Sequence, residues 1–496
     1  MIVAAALWGR LVYLAAPFAG DGGIFAYMGQ LTLTGGRFGE EIIDNKFPTV
    51  GLVTGVFWAV FGNYWPGYVL TQCAMTFAAG GLLARSAGMT FGPHARFPTF
   101  IGVVALMNLN AAVGGGFQLE TVFAFFGCVA ASCAMLALHR FDRRDALAAG
   151  LAAGYAALVK PTGGAAFAAF FICLLLVPRK VPIQSEAPNP PPGTAGRAGL
   201  MLAGLIGFAF PMFVALLYLQ RSEQLEILPG IARDIRAYAS NSTFEYLDLV
   251  QPLLLMGFFL GTLFIKLWVY RRPAYRVSSG AGAVLWVFVI AWFAIEVVGI
   301  VMQRRMYGYH FIPLTAPAAL LFGVLPRKTT MGQIVGPLLL PLFLSTWRAS
   351  DVLADVTARP MNWANLAAWL EPRTLPGERI WRDNTPQVLI NSDLRPASKL
   401  QLVFIFKNTD DAPMRFSGVL IDDLRKHNPR YVITQSDLKQ FLHIQTTDAR
   451  ELVRIPARRE NYVLAWKHIE TFLRDRYEPV TVIGNEAIWQ RKEATR

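Results

Sequence analysis

The sequence predicts a mostly α-helical, polytopic membrane protein that ends in a small α/β domain outside the membrane. Three observations predict it. Hydrophobic residues make up 54% of the 496 and charged residues only 16%, whereas a soluble domain carries about 25% charged residues; the mean hydropathy is +0.39. The apolar residues are clustered, in runs such as Leu200–Leu219 and Leu253–Tyr270, close to the roughly 20 residues a helix needs to cross a hydrocarbon core. Such runs must be helical, because lipid cannot satisfy free backbone groups. Third, the composition changes after about Ser350, where charged residues become frequent and apolar residues fall into short groups.

The elements follow in order. Met1 to about Phe18 is taken as a first spanning helix, kept in the mature protein, because no basic n-region and no small-x-small cleavage site precede a soluble chain. Arg10 interrupts it and is expected to snorkel to the interface unless the helix starts upstream. The stretch Gly20 to Pro48 is polar and Gly-rich. Inside it, Ile24, Phe25, Tyr27, Met28, Leu31 and Leu33 predict a short amphipathic helix at the interface. Apolar segments follow at about 49–61, 66–84, 97–112, 120–138, 146–158 and 162–177. A polar loop, 178–198, carries Pro188, Pro190, Pro191 and Pro192 and reads as flexible. Further spans are expected at about 200–219, 250–270, 281–301, 311–325 and 332–347. The membrane domain is therefore 1–348 and the outer domain 349–496. In the latter, Val388–Ile390, Tyr431–Thr434 and Val480–Ile483 predict strands, and Phe416–His427 and Tyr462–Arg476 predict helices.

The net charge of +13 does not indicate nucleic acid, since Lys and Arg are spread over the loops rather than gathered on one basic face. The basic loops 139–145, 178–197, 271–276 and 326–330 are expected on the cytoplasmic side. Single crossings from those anchors put 221–249, 302–310 and everything after about 348 outside. The first half is less regular. Residues 49–84 must cross an odd number of times although they read as two segments. Residues 146–177 must cross an even number, as two helices broken at Lys160-Pro161. Cys73, Cys128, Cys133 and Cys173 all lie in apolar stretches with no metal-site spacing and read as small buried hydrophobes. No metal is expected to be required.

Several polar groups stand out against this background. Asp21 follows the first span at the water–lipid boundary, where partial desolvation can tune a carboxylate for base work; capping a helix that begins at Gly22 is compatible with that. Asp44-Asn45-Lys46-Phe47-Pro48 places a Lys before the Pro that opens the next segment. Lys46 either snorkels or holds a phosphate as a point charge. Gln303-Arg304-Arg305-Met306-Tyr307-Gly308-Tyr309-His310 puts paired arginines on the outer side, against the topology bias. Arginine forks match phosphate oxygens, so Arg304, Arg305 and His310 are candidate phosphate ligands, with Tyr307 and Tyr309 beside them. An interfacial Arg–Tyr anchor is the bland reading. Glu120 opens a span, a costly place for a carboxylate unless it is used or favoured by the helix dipole. Lys160 interrupts an apolar run, as a phosphate contact or a helix break.

At these residues the sequence resembles the GT-C membrane glycosyltransferases, specifically the branch with the protein O-mannosyltransferases and the aminoarabinose transferases that modify lipid A. The resemblance lies in the order Asp21, Tyr27, Gly35-Gly36, Asp44-Asn45-Lys46-Phe47-Pro48; then Glu120; then a Gly-rich run into Lys-Pro, Gly150–Pro161; then Arg304–Pro313; and, in the C-terminal domain, Asn428-Pro429-Arg430-Tyr431-Val432-Ile433. It covers nearly the whole chain and rests on order and spacing rather than on one motif. One departure is that Gly22 follows Asp21 where many relatives carry a second acid, which puts protein O-mannosylation in doubt.

The resemblance implies a multi-pass protein, in bacteria of the inner membrane, with its C-terminal domain outside. It implies a polyprenyl-phosphate-linked sugar as donor and no further cofactor. The acceptor is a glycan, lipid or protein hydroxyl, and the reaction a single inverting displacement on the outer, periplasmic face. Asp21 would be the base. Lys46, Arg304, Arg305 and His310 would hold the leaving phosphate. Tyr27, Asp44, Glu120, Tyr307 and Tyr309 would contact sugar or acceptor. Two rival readings are a lipid-linked-sugar transporter or flippase and a non-catalytic binding protein. Transport predicts inverted repeats with matching broken helices, and the sequence shows no internal repeat.

Overall fold

A computed structural model of the chain describes all residues except 1, 19–20, 44–45, 110–115, 177–193, 241–279, 304–307, 324–330, 359–361, 383–386, 391, 402–410, 436–455, 485 and 494–496. The chain divides into two compact units. One comprises Met1–Ala19, Trp65–Leu217 and Phe244–Asp355; the other comprises Gly20–Tyr64, Tyr218–Thr243 and Val356–Arg496.

The first unit is helical: α1 (Ile2–Leu11), then α4 (Trp65–Phe91), α5 (Arg96–Met107), α6 (Leu119–Arg140), α7 (Arg143–Val159), α8 (Ala165–Leu176), α9 (Thr194–Arg221), α11 (Gly280–Met302), α12 (Ile312–Gly323) and α13 (Met331–Ala358). Among the described residues four helices are long and apolar enough to cross a membrane: Trp65–Phe91, Leu119–Arg140, Ala195–Arg221 and Val284–Met302. The expected segment 250–270 lies outside the described residues. Leu202, Leu205, Ile206, Phe210, Phe213 and Leu216 of α9 are exposed, an arrangement that suits contact with hydrocarbon and not with water. The chain is thus an integral membrane protein.

Small residues set the helix spacing here. A Cβ added at Gly150 in α7 would stand 2.0 Å from the backbone oxygen of Gly204 in α9, and one at Gly207 would stand 2.2 Å from the oxygen of Leu147. The two backbones therefore touch, as small residues permit in membrane helices. The break expected at Lys160-Pro161 is present. Helix α7 ends at Val159, Lys160 is extended (φ −154°, ψ 133°), and Pro161–Gly164 forms a 3-10 turn before α8. The residue before a proline is driven out of the helical region, and the proline has no N–H to give.

The second unit begins with α2 (Asp21–Leu33) and α3 (Thr49–Phe61), which pack on each other. A Cβ at Gly29 would lie 2.5 Å from the oxygen of Thr54. The sequence predicts α2 as an amphipathic surface helix; the structure buries every residue from Gly22 to Gly29, because neighbours cover more than one face. Loop residues Phe38 and Ile42 are also buried, and Arg37 pairs with Glu223 at 3.0 Å. The segment after Arg221 contributes α10 (Leu228–Ser240).

The C-terminal part carries α14 (Asn362–Leu370), α15 (Gln387–Ile390), α16 (Ala412–His427), α17 (Pro456–Arg476) and a five-stranded sheet in the order β2-β1-β3-β5-β4. The strands are β1 (Arg379–Arg382), β2 (Arg395–Pro396), β3 (Tyr431–Gln435), β4 (Tyr477–Ile483) and β5 (Glu486–Arg491). β1 runs parallel to β2 and β3, while β3–β5 and β4–β5 are antiparallel. Gly484, at φ +60°, turns the β4–β5 hairpin, a backbone state glycine adopts without a Cβ clash. One expected strand is corrected: Val388–Ile390 belongs to the single helical turn of α15, and all four of its residues are buried. A short apolar run buried on all sides gives no periodicity to separate strand from helix.

Candidate active site

The candidate residues fall in both units, and each cluster is built locally. In the second unit Asp21 is the first residue of α2. It lies inside the helix rather than capping one that begins at Gly22. A carboxylate in a first turn is favoured by the helix dipole. Phe25, one turn later on the same face, is 1% exposed, and the Lys46 ammonium sits 5.1 Å from the centre of its ring. Lys46 is thus held against the turn that Asp21 opens. Both Asp21 and Lys46 are half-buried.

Tyr27 looks elsewhere. Two residues beyond Phe25, it projects about 200° away around the helix and is 4% exposed. Burial pushes the pKa of its hydroxyl up, Glu41 adds to that, and Arg379 and Arg395 oppose it. Arg379 and Arg395 are register partners on β1 and β2. Tyr27 is thus on a different side of α2 from Phe25, within the electrostatic reach of Glu41, Arg379 and Arg395.

In the first unit Glu120 lies in the first turn of α6 and is 6% exposed. Its Oε1 receives the Lys160 ammonium at 3.1 Å, and that ammonium is 5.9 Å from the ring centre of Phe123 on the same helix. The helix break thus delivers Lys160 to Glu120 as a cation that offsets its buried carboxylate. A third group, Glu296 in α11, was not singled out by sequence. It is buried, accepts a hydrogen bond from Trp292 Nε1 at 3.1 Å, and lies within the electrostatic reach of Lys160. Its signal was present, as the one acid in the apolar run Gly280–Met302. A Cβ at Gly299, one turn on, would meet Thr162 Cγ2 at 3.0 Å, so α11 packs onto the break itself.

His310 is buried in the turn Gly308–Phe311, edge-on to Tyr309 at 4.7 Å. Asp44, Arg304, Arg305 and Tyr307 lie outside the described residues. Arg10 corrects an expectation. It does not snorkel but is fully buried, donating to Asn108 Oδ1 (2.9 Å), to Gln72 Oε1, to the oxygen of Met107 (3.0 Å) and to Thr121 Oγ1 (3.1 Å). It ties α1 to α4, α5 and α6. The cysteines are unpaired, with Cys73, Cys128 and Cys173 buried and Cys133 partly so. Among the described residues no three His, Cys, Asp or Glu side chains gather as a metal-ligand set.

No family model matches the chain, and no curated protein matches it. Solved structures do. ArnT from Cupriavidus metallidurans, bound to undecaprenyl phosphate, is similar over 98% of this chain and 97% of its own, at 14% identity and a TM-score of 0.58. The Archaeoglobus fulgidus oligosaccharyltransferase is similar in two structures. The one tethered to an acceptor peptide covers 99% of this chain and 74% of its own, at 12% identity and TM-score 0.52; the complex with zinc and sulfate covers 89% and 69%, at 12% and 0.50. At such identities the likeness is one of fold. From its membrane helices to its C-terminal sheet, the chain has the fold of the GT-C membrane glycosyltransferases.

Proposed function

We propose that this protein is a membrane glycosyltransferase that moves a sugar from a polyprenyl-phosphate carrier to an acceptor hydroxyl at the outer face of the membrane. The observation that carries the reading is the Lys46 ammonium 5.1 Å from the ring centre of Phe25, one turn beyond Asp21 in α2, in a chain whose fold matches a polyprenyl-phosphate-bound structure over 98% of its length. A carboxylate and a cation so placed supply the two things an inverting displacement needs. Asp21 takes the proton from the acceptor hydroxyl as the new glycosidic bond forms. The bond from the anomeric carbon to the phosphate oxygen breaks, and polyprenyl phosphate leaves with its charge. That leaving group calls for fixed cations more than for a proton donor, and Lys46, Arg304, Arg305 and His310 are assigned to it.

Glu120, held by Lys160, is assigned to the hydroxyls of the sugar. Tyr309, beside His310, and Tyr27 keep their assignment to the sugar or acceptor. Asp44 and Tyr307 keep their roles as sugar or acceptor contacts from sequence alone.

The sidedness follows from charge. Segments 20–48, 221–249 and 349–496 come out on one side by counting basic loops, and Gly20–Tyr64, Tyr218–Thr243 and Val356–Arg496 form one compact unit. Thr49–Phe61 has 13 residues and Ala165–Leu176 has 12, both shorter than the roughly 20 a straight crossing takes, whereas Trp65–Phe91 is long and apolar enough to cross. The odd count for 49–84 and the even count for 146–177 are the expectation from charge.

The test is donor turnover in liposomes with a panel of polyprenyl-phosphate sugars, read as release of free polyprenyl phosphate. Release from one member by the wild type identifies the sugar. Binding of a donor with no release, in the presence of a panel of acceptors, would instead favour a carrier or a non-catalytic receptor.

A further inference from the structure

The C-terminal domain holds a buried ion pair that the reaction itself does not use. Arg382, at the end of β1, forks onto Glu486, at the start of β5, with Nε 3.0 Å from Oε2 and Nη2 against Oε1. Strands β1 and β5 are not neighbours; β3 lies between them. Register explains how the two residues meet. Arg382 is opposite Ile433, and Glu486 is opposite Gln435. Ile433 and Gln435 are two apart, so these two register positions are on one face of the sheet. Arg382 and Glu486 therefore lie on that face, reaching diagonally across β3. Both residues are buried.

A buried ion pair is costly to desolvate and is often no more stabilising than apolar residues of the same volume. What it supplies is direction. The third nitrogen of Arg382, Nη1, donates to Oε1 of Gln387 at 3.4 Å. Gln387 opens α15, whose four residues are all buried. Helix α15 packs on α2, the helix whose first residue is Asp21. A polar chain thus runs from Glu486 through Arg382 to Gln387, and packing carries it on to α2. A further hydrogen bond ties the loop that follows α2 to the same domain: the N–H of Ile43 donates to the oxygen of Lys399 at 2.9 Å.

We propose that Arg382, aimed by Glu486, is a positioning residue for Asp21: it fixes α15 through Gln387, and α15 fixes the helix that Asp21 opens. The C-terminal domain is thereby a base plate for the helix that Asp21 opens. This rests on the reading of Asp21 as the base.

The experiment uses the full chain in liposomes with the donor that the panel identifies. In Gln387→Leu the ion pair stays and only the polar link to α15 is cut. In the double variant Arg382→Met with Glu486→Leu, apolar groups replace the pair. The expected result for both is a kcat lowered by about 10- to 100-fold, the scale on which small misplacements act. Donor KM and the thermal midpoint should stay within error of wild type. A folded Gln387→Leu protein with wild-type kcat overturns the inference. So does a kcat loss that merely tracks the fraction unfolded. Asp21→Asn separates the two levels: an inactive Asp21→Asn beside an active Gln387→Leu defeats the positioning role alone, whereas an active Asp21→Asn defeats the base assignment and this inference with it.

Discussion

The ammonium of Lys160 lies 3.1 Å from Oε1 of Glu120, so the residue that ends one helix is tied by charge to the first turn of another. The side chains are 22% and 7% exposed, and breaking such a pair leaves one charge uncompensated in an apolar region. Lys160→Met should therefore cost about 3 kcal/mol, read as a lower denaturation midpoint in detergent. Adding Glu120→Gln should recover most of that stability without restoring turnover, since the proposed sugar contact is gone. A Lys160→Met protein as stable as wild type would show that the pair does not hold the break.

Arg10 should tolerate no conservative change. Its planar fork satisfies acceptors on three other helices, and a lysine ammonium cannot match that geometry. Arg10→Lys leaves at least one buried acceptor unpaired, at a cost of about 1–3 kcal/mol, and Arg10→Met leaves several. The check is the yield of monodisperse protein after extraction, falling from wild type to Lys to Met. Equal yields would contradict the role assigned to Arg10.

Gly150 should not accept a larger residue. Its added Cβ would stand 2.0 Å from the oxygen of Gly204, so Gly150→Leu must drive α7 and α9 apart, at about 1–3 kcal/mol or more. Gly81, where an added Cβ meets nothing within 4 Å, is the control, and Gly81→Ala should be neutral in the same unfolding assay.

Lys46 should act on the donor. Loss of a charge-assisted contact to phosphate is worth about 1.5–3 kcal/mol, or about 10- to 100-fold in affinity. Lys46→Ala should weaken donor binding by that factor, while Lys46→Arg keeps most of it. An unchanged donor Kd in Lys46→Ala would remove Lys46 from the phosphate site.

Much of this was legible in the sequence because the bilayer imposes a simple code. The segments expected at 49–61, 120–138 and 281–301 appear as Thr49–Phe61, Leu119–Arg140 and Gly280–Met302, since apolar run length alone marks them. Lys160-Pro161 gave the break through backbone sterics. The C-terminal sheet was harder. Arg379–Arg382 and Glu486–Arg491 carry arginines and glutamates that read as surface, and only the Arg382–Glu486 contact across β3 explains why two of them are buried. Arg10 misled for a related reason, because its partners Gln72, Asn108 and Thr121 lie far off in sequence. Tyr27 follows Asp21 in the order that carries the resemblance, but its burial in α2 and the charges of Glu41, Arg379 and Arg395 around its hydroxyl depend on chain segments far off in sequence.

The central claim is that Asp21 is the base and not a donor-binding group, and one comparison tests it directly. Turnover and donor affinity are measured side by side for wild type and Asp21→Asn in the same liposomes. Loss of a general base predicts a kcat lower by about 10²- to 10⁴-fold, with donor Kd unchanged. Wild-type turnover in Asp21→Asn, or a loss that lies wholly in donor affinity, would contradict the account.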